Sequence, residues 1–336
     1  MQLSGGNLIF LISQPRAGST MLQRVLAGHP EVHTTAEPWL MLHPVYALRR
    51  EGHEAEYDTH LAFQALERFL NTLGGREYYV EALRRMATYL YGTACQQAGK
   101  TYFLDKTPRY FFIIPDLLEV FPDASYVILL RNPLAVLASI LNTWVKGDWL
   151  RLSNHYENLV LAPKLLVEGI SLLGSRAIVE HYEAFVQSPI EETERLCARL
   201  GLTFDVNMLE YGQRQAPQWR FGDPSGVREH VRPTASSLHR WLGLGQSRQT
   251  RHLAQEYLAS LGPGLLAEMG YDYDELETRL LAEPCTCKGV VVSWAKVFAA
   301  EHRFRDKVYL LIVEFLQQRR VAHLGKQLAK LFLGRL

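Results

Sequence analysis

The sequence predicts an α/β protein with a central parallel sheet flanked by helices. Three observations carry that prediction. Short apolar runs bounded by polar residues alternate with stretches at helical spacing, as in chains that lay helices against a sheet. The stretches between runs supply crossover helices, which join parallel strands. One run, 8–12, passes directly into a small basic turn and then a helix.

Five strands are expected, at 8–12, 32–34, 102–104, 126–130 and 177–180. Each is short and apolar. The helices expected between them span about 19–28, 60–73, 77–98, 110–120 and 133–145. The last is opened by Asn132 as cap and Pro133 at the first helical position, where a missing N–H costs nothing. In such sheets ligands bind beyond the carboxyl ends of the strands, where the turn after the first strand falls.

Whole-chain properties narrow the class. The 336 residues are enough for one large or two ordinary domains with a substantial core. A formal net charge of +1 gives no electrostatic case for nucleic acid as a partner. Residues 1–7 lack the charged start of a signal peptide, and the apolar run from Leu8 stops at Ser13, far short of a spanning helix. Cytoplasmic location without a Golgi anchor is therefore expected. The four cysteines (Cys95, Cys197, Cys285, Cys287) are too few and scattered for a disulfide framework. Cys285-Thr286-Cys287 lacks a second ligand pair, so no metal site is expected.

The turn Gln14-Pro15-Arg16-Ala17-Gly18-Ser19-Thr20 reads as a phosphate cradle with one substitution. A nucleotide triphosphatase loop has Gly-Lys-Ser/Thr, the lysine reaching the β- and γ-phosphates. Here Ser19 stands where that lysine belongs, and Arg16 supplies a charge that cannot be lost near neutral pH. Gly18 lets the backbone approach an anion, and amides at the helix start favour it. The fold expected is therefore P-loop-like and three-layered, with a helical C-terminal extension. Metal-assisted ATP chemistry is disfavoured, and a kinase reading would require magnesium-dependent ATP turnover.

A second anion site follows the fourth strand, where Arg131 at the strand end and Ser139 on the next helix can converge on one phosphate. Together, Pro15-Arg16-Ala17-Gly18-Ser19-Thr20 and the segment from Arg131-Asn132-Pro133 to Ser139 resemble two motifs of the sulfotransferases that use 3′-phosphoadenosine 5′-phosphosulfate (PAPS). These are its 5′-phosphosulfate and 3′-phosphate motifs. Asp105-Lys106-Thr107-Pro108-Arg109 is similar to the family's Lys-Thr-Pro segment, and His181-Tyr182-Glu183-Ala184-Phe185 to its Tyr-Glu segment. The resemblance covers roughly residues 7–245. The cytosolic eukaryotic branch has Pro-Lys-Ser-Gly-Thr and a basic glycine-rich segment near the C-terminus, and neither occurs here. The arginine-type loop resembles that of bacterial, tyrosylprotein and glycan sulfotransferases.

The resemblance implies a PAPS donor, with 3′-phosphoadenosine 5′-phosphate as product, bound by Pro15, Arg16, Ala17, Gly18, Ser19, Thr20, Arg131, Ser139 and Tyr182. Glu37, just past the second strand, matches the glutamate that serves as base in the arginine-type branch. Arg16 and Lys106 are the cations expected around the sulfonate. His29, His33 and His43 are alternative bases, but none lies in a segment resembling the cytosolic branch's histidine motif. The loop 222–233, with Arg228 and Arg232, is expected to close over the donor phosphates. The acceptor expected is a small-molecule hydroxyl, from a metabolite or natural product. Alternatives are a carbohydrate or glycolipid acceptor near a membrane, or a nucleotide-binding scaffold without turnover.

The chain is expected to divide into a catalytic domain, 1–283, and an extension, 284–336. From Lys296 to Leu336 there are nine Lys/Arg against three Asp/Glu, while the preceding residues hold 27 and 32. Apolar positions such as Val297, Val308, Leu311, Phe315, Leu328 and Leu331 fall at helical spacing. A basic amphipathic helix of this kind suits packing on its own domain, membrane-surface contact or homodimerisation.

Overall fold

The computed structural model describes residues 5–213, 230–286 and 291–299. Five parallel strands form one sheet in the order β2-β3-β1-β4-β5, from β1 (Leu8–Ser13), β2 (Val32–Thr34), β3 (Tyr102–Lys106), β4 (Ser125–Leu130) and β5 (Ala177–His181). All five strands expected from sequence are present, with ends moved by no more than two residues. Every side chain of Leu-Ile-Phe-Leu-Ile-Ser in β1 is buried. Successive strand residues face opposite sides, so both faces of the sheet are covered there, the condition of a three-layer α/β fold. Phe10 sits among the rings of Tyr110, Phe121 and Tyr126, with centroids at 6.1, 5.5 and 5.6 Å.

The strand order places the site. After β1 the chain moves to one side for β2 and β3, then crosses back to the other for β4 and β5. The carboxyl end of β1 is therefore a topological switch point, and the turn 14–18 lies there, leading into α1 (Ser19–Leu26).

Between β2 and β3 lie α2 (Leu42–Tyr46), α3 (Thr59–Leu73) and α4 (Glu77–Ala98). Asp58 caps α3 by accepting from the Leu61 N–H, and Gly99 ends α4 in the left-handed conformation that glycine adopts most readily. The helix expected over 110–120 divides into a tight 3₁₀ stretch, Pro108–Ile113, and α5 (Ile114–Val120). Pro115 explains the break, because it lacks the N–H that would bond back into the preceding turn. The helix expected over 133–145 is α-helical only as α6 (Pro133–Ile140). It then widens, with the Lys146 N–H donating to the Leu141 carbonyl five residues back.

The chain divides into two compact units, Met1–Leu130 with Glu168–Thr234, and Arg131–Val167 with Ala235–Leu336. The sheet belongs to the first. In the second, α6 contributes Leu134, Val136 and Leu137 to a core that also holds Trp241, Tyr257 and Trp294. Tyr257 satisfies its buried hydroxyl by donating to the Leu159 carbonyl at 3.0 Å. Helices run over Arg248–Glu268, kinked at Gly262, and over Tyr273–Ala282 and Trp294–Ala299. Among the described residues one helical run, Glu157–Arg176, is long and apolar enough by length and composition to cross a membrane. The amphipathic stretch expected beyond residue 299 lies outside the described residues, as do Arg228 and Cys287. Arg232 pairs with Glu210 at 2.9 Å.

Candidate active site

The cradle is built from backbone first. The Ala17 N–H donates to the Gln14 carbonyl at 3.1 Å and closes the turn, and the Gly18 carbonyl accepts from the Met21 and Leu22 N–H groups to start α1. Arg16 has φ +74° and Gly18 φ +100°. At Gly18 a second constraint is steric, since a β-carbon there would lie 2.5 Å from the Tyr182 ring. That close approach seats Tyr182, the first residue after β5, against the loop. Ala17 and Ser19 are buried, whereas Arg16 and Thr20 keep partial exposure.

A strand ending at 104 would leave Lys106 beyond it. It is instead the last residue of β3, and its side chain is only 2% exposed. Burying an ammonium is costly unless it is paired. Its Nζ meets Glu37 Oε1 at 2.8 Å, with Glu37 itself 11% exposed, and lies 3.5 Å from Thr20 Oγ1. The structure thus brings Glu37, Lys106 and Thr20 together from three segments. The second carboxylate oxygen, Oε2, accepts from the Trp39 indole N–H at 3.1 Å.

Two braces hold the Glu37 loop and were not anticipated from sequence. Gln23 on α1 donates through Nε2 to Thr34 Oγ1 and to the Thr35 carbonyl, both at 2.8 Å. Tyr110 accepts from the Met41 N–H at 3.1 Å and donates to Asp105 at 2.9 Å. Asp105 also accepts from Tyr91 at 2.6 Å and Thr107 at 2.7 Å. Being adjacent in a strand, Asp105 and Lys106 face opposite ways, so one anchors while the other serves the site. Burial pushes the Asp105 carboxyl up to about 6, against the pull of its three hydroxyl donors and of Lys106. Trp39 has φ +53°, a left-handed conformation costing a bulky side chain about 1–3 kcal/mol. An aromatic two residues after an acid gave no signal by type or spacing; only the backbone turn makes it significant.

The histidines considered as alternative bases have other surroundings. His29 is buried and accepts the Glu31 N–H through Nδ1. His33 packs edge-on to Phe103, and burial, helped by Lys100, pushes its imidazole pKa down. His43 is exposed on α2.

Arg131 and Ser139 belong to the second unit. Asn132 caps α6 through its side chain, accepting the Leu134 N–H at 2.9 Å, as the sequence predicts. The Arg131 guanidinium is 3.5 Å from Ser237 Oγ. Ser139 is half-buried in a helix whose other residues are buried.

A glycine turn leading into a helix at the switch point of a parallel sheet, with a carboxylate-lysine pair beside it, gives an α/β protein with a candidate site for an anionic ligand. The family model described as "Sulfotransferase family" matches residues 8–206, and the chain belongs to that family. It is 28% identical over 313 residues to nodulation protein NoeE of Sinorhizobium fredii, covering 87% of this chain and 72% of that protein. Among solved structures it resembles the sulfotransferase domain from the curacin biosynthetic pathway, with a TM-score of 0.50 and 21% identity over 72% of this chain and 91% of that one. The sulfotransferase domain of the Synechococcus PCC 7002 olefin synthase gives a TM-score of 0.49 at 24% identity, over 72% and 88% of the two chains.

Proposed function

We propose that this sulfotransferase takes its sulfuryl group from PAPS and passes it in line to the hydroxyl of a small-molecule acceptor, with Glu37 as base. The observation that carries this reading is the buried Glu37-Lys106 pair at 2.8 Å beside Thr20 of the anion cradle. A base and a cation adjoin where an anionic donor would end. The donor set fits such a ligand: a guanidinium, an ammonium, hydroxyls and a glycine turn at a helix start.

The donor supplies a sulfonate on a phosphate leaving group, so that the acceptor oxygen forms a new S–O bond as the old one breaks, leaving 3′-phosphoadenosine 5′-phosphate. Glu37 takes the hydroxyl's proton. Lys106 and Arg16 hold the charge that develops as the bond breaks. Pro15, Ala17, Gly18, Ser19 and Thr20 form the cradle around the 5′ end, and Tyr182 lies against the base of the nucleotide. Arg131 and Ser139 take the 3′-phosphate. Half-buried Leu40 and Leu42 follow the base in sequence and offer apolar surface to a metabolite-sized alcohol. The cytoplasm, where PAPS and such alcohols meet, is the proposed location.

The test is to incubate the purified chain with PAPS and a panel of hydroxylated metabolites, following sulfated products by mass. Turnover that Glu37→Gln abolishes supports the reading. Transfer that persists undiminished in Glu37→Gln removes Glu37 as base.

A further inference from the structure

We propose that Trp39 is a positioning residue for the base: its indole N–H holds Glu37 Oε2 and leaves Oε1 as the oxygen that receives the acceptor's proton. This rests on the reading of Glu37 as base. Both carboxylate oxygens have a donor, and the two donors differ in kind. Oε1 meets Lys106 Nζ at 2.8 Å, on the side of Thr20 and the anion cradle, and Oε2 meets the indole at 3.1 Å. A proton must leave the acceptor hydroxyl next to the sulfonate, which requires the oxygen on the cradle side. A carboxylate free to rotate would present either oxygen and spend part of its time misaligned. The indole removes that freedom.

Three features show that the ring is placed rather than merely packed. Trp39 is one of three non-glycine residues with positive φ among the described residues, and another of them, Arg16, is in the anion cradle. Strained backbone of this kind persists where surroundings over-determine it. Here the surroundings are identifiable. The Trp39 carbonyl accepts the Leu42 N–H at 3.3 Å, and the Met41 N–H is tied to Tyr110 and so to buried Asp105. Finally, Pro38 fixes φ between the acid and the ring. The left-handed turn folds the chain back so that the indole reaches the carboxylate two residues earlier.

The proton count is unchanged by this role. The acceptor's proton ends on Oε1, the S–O bond to the acceptor forms, the S–O bond to the donor phosphate breaks, and the indole keeps its own proton throughout.

The variant that isolates the N–H is Trp39→Phe, which keeps an aromatic ring and loses the donor. With PAPS and an alcohol that the wild type sulfates, kcat should fall about tenfold, short of the 10²–10⁴-fold of a general base itself. KM for PAPS should stay within about twofold, since the indole has no role in donor binding. Transfer from 4-nitrophenyl sulfate to 3′-phosphoadenosine 5′-phosphate, whose leaving group needs no proton, should also stay within about twofold. A merely structural role would lower both reactions together, and that outcome overturns the proposal, as does an unchanged kcat with the alcohol. A second measurement needs no turnover. The Trp39 indole N–H resonance, assigned by its loss in Trp39→Phe, should move in Glu37→Gln. A resonance that stays in place overturns the contact. If the wild type binds no 3′-phosphoadenosine 5′-phosphate, the donor reading fails while the resonance experiment still decides the contact.

Discussion

Glu37 and Lys106 stand 69 residues apart in the chain and meet at 2.8 Å, both largely removed from water. A pair of this kind stabilises little overall, but removing one partner strands the other charge. Lys106→Met should therefore cost roughly 3–5 kcal/mol of unfolding free energy, and Glu37→Gln added to it should restore part of that loss. Denaturant unfolding of the two single variants and the double variant measures the coupling. Additive losses would contradict the pairing. Two other carboxyls report through pH. Burial pushes Glu180 up to about 7, although Arg195 at 2.7 Å pulls the other way, and burial holds Asp105 at about 6. Both stay protonated in the folded chain at pH values where the unfolded chain has lost the proton. Their contribution to stability is thus full below the ordinary values of 4.5 and 3.8, and it declines as pH rises to about 7 and about 6. Relative to wild type, Glu180→Gln should gain in Tm as pH rises from 4 to 7. A difference that is flat or falls would contradict the assignment.

At the scale of elements, the proposed donor site rests on the β1 turn and its helix. Gly18 combines φ +100° with a Tyr182 ring that a β-carbon would reach at 2.5 Å. Gly18→Ala should weaken binding of 3′-phosphoadenosine 5′-phosphate at least tenfold while leaving the sheet folded, as read by calorimetry and circular dichroism. Undiminished affinity would show that the cradle is not the anion site. Much of this element was legible beforehand, because strand, glycine and helix start are local features. Asn132 and Pro133 announced α6 for the same reason. Lys106 was found by its motif, but its burial was not, since nothing local says that β3 extends through it. Gln23, Tyr110 and Asp105 brace the Glu37 loop from α1, a 3₁₀ turn and β3, and such long-range contacts leave no periodic trace. Trp39 was missed because its significance lies in a left-handed backbone that no residue type there signals.

For the whole molecule, the pairing of β2 with β3 in the parallel sheet accounts for where Glu37 and Lys106 converge. The family assignment gives the reaction class, and the donor set of the cradle gives the proposed donor. The most direct test is calorimetric titration of the full chain with 3′-phosphoadenosine 5′-phosphate and, separately, with ATP. The account predicts saturable binding of the former at tens of micromolar or tighter, preserved in Glu37→Gln and weakened in Gly18→Ala. No binding of it at those concentrations, together with retained binding of ATP, would contradict the account.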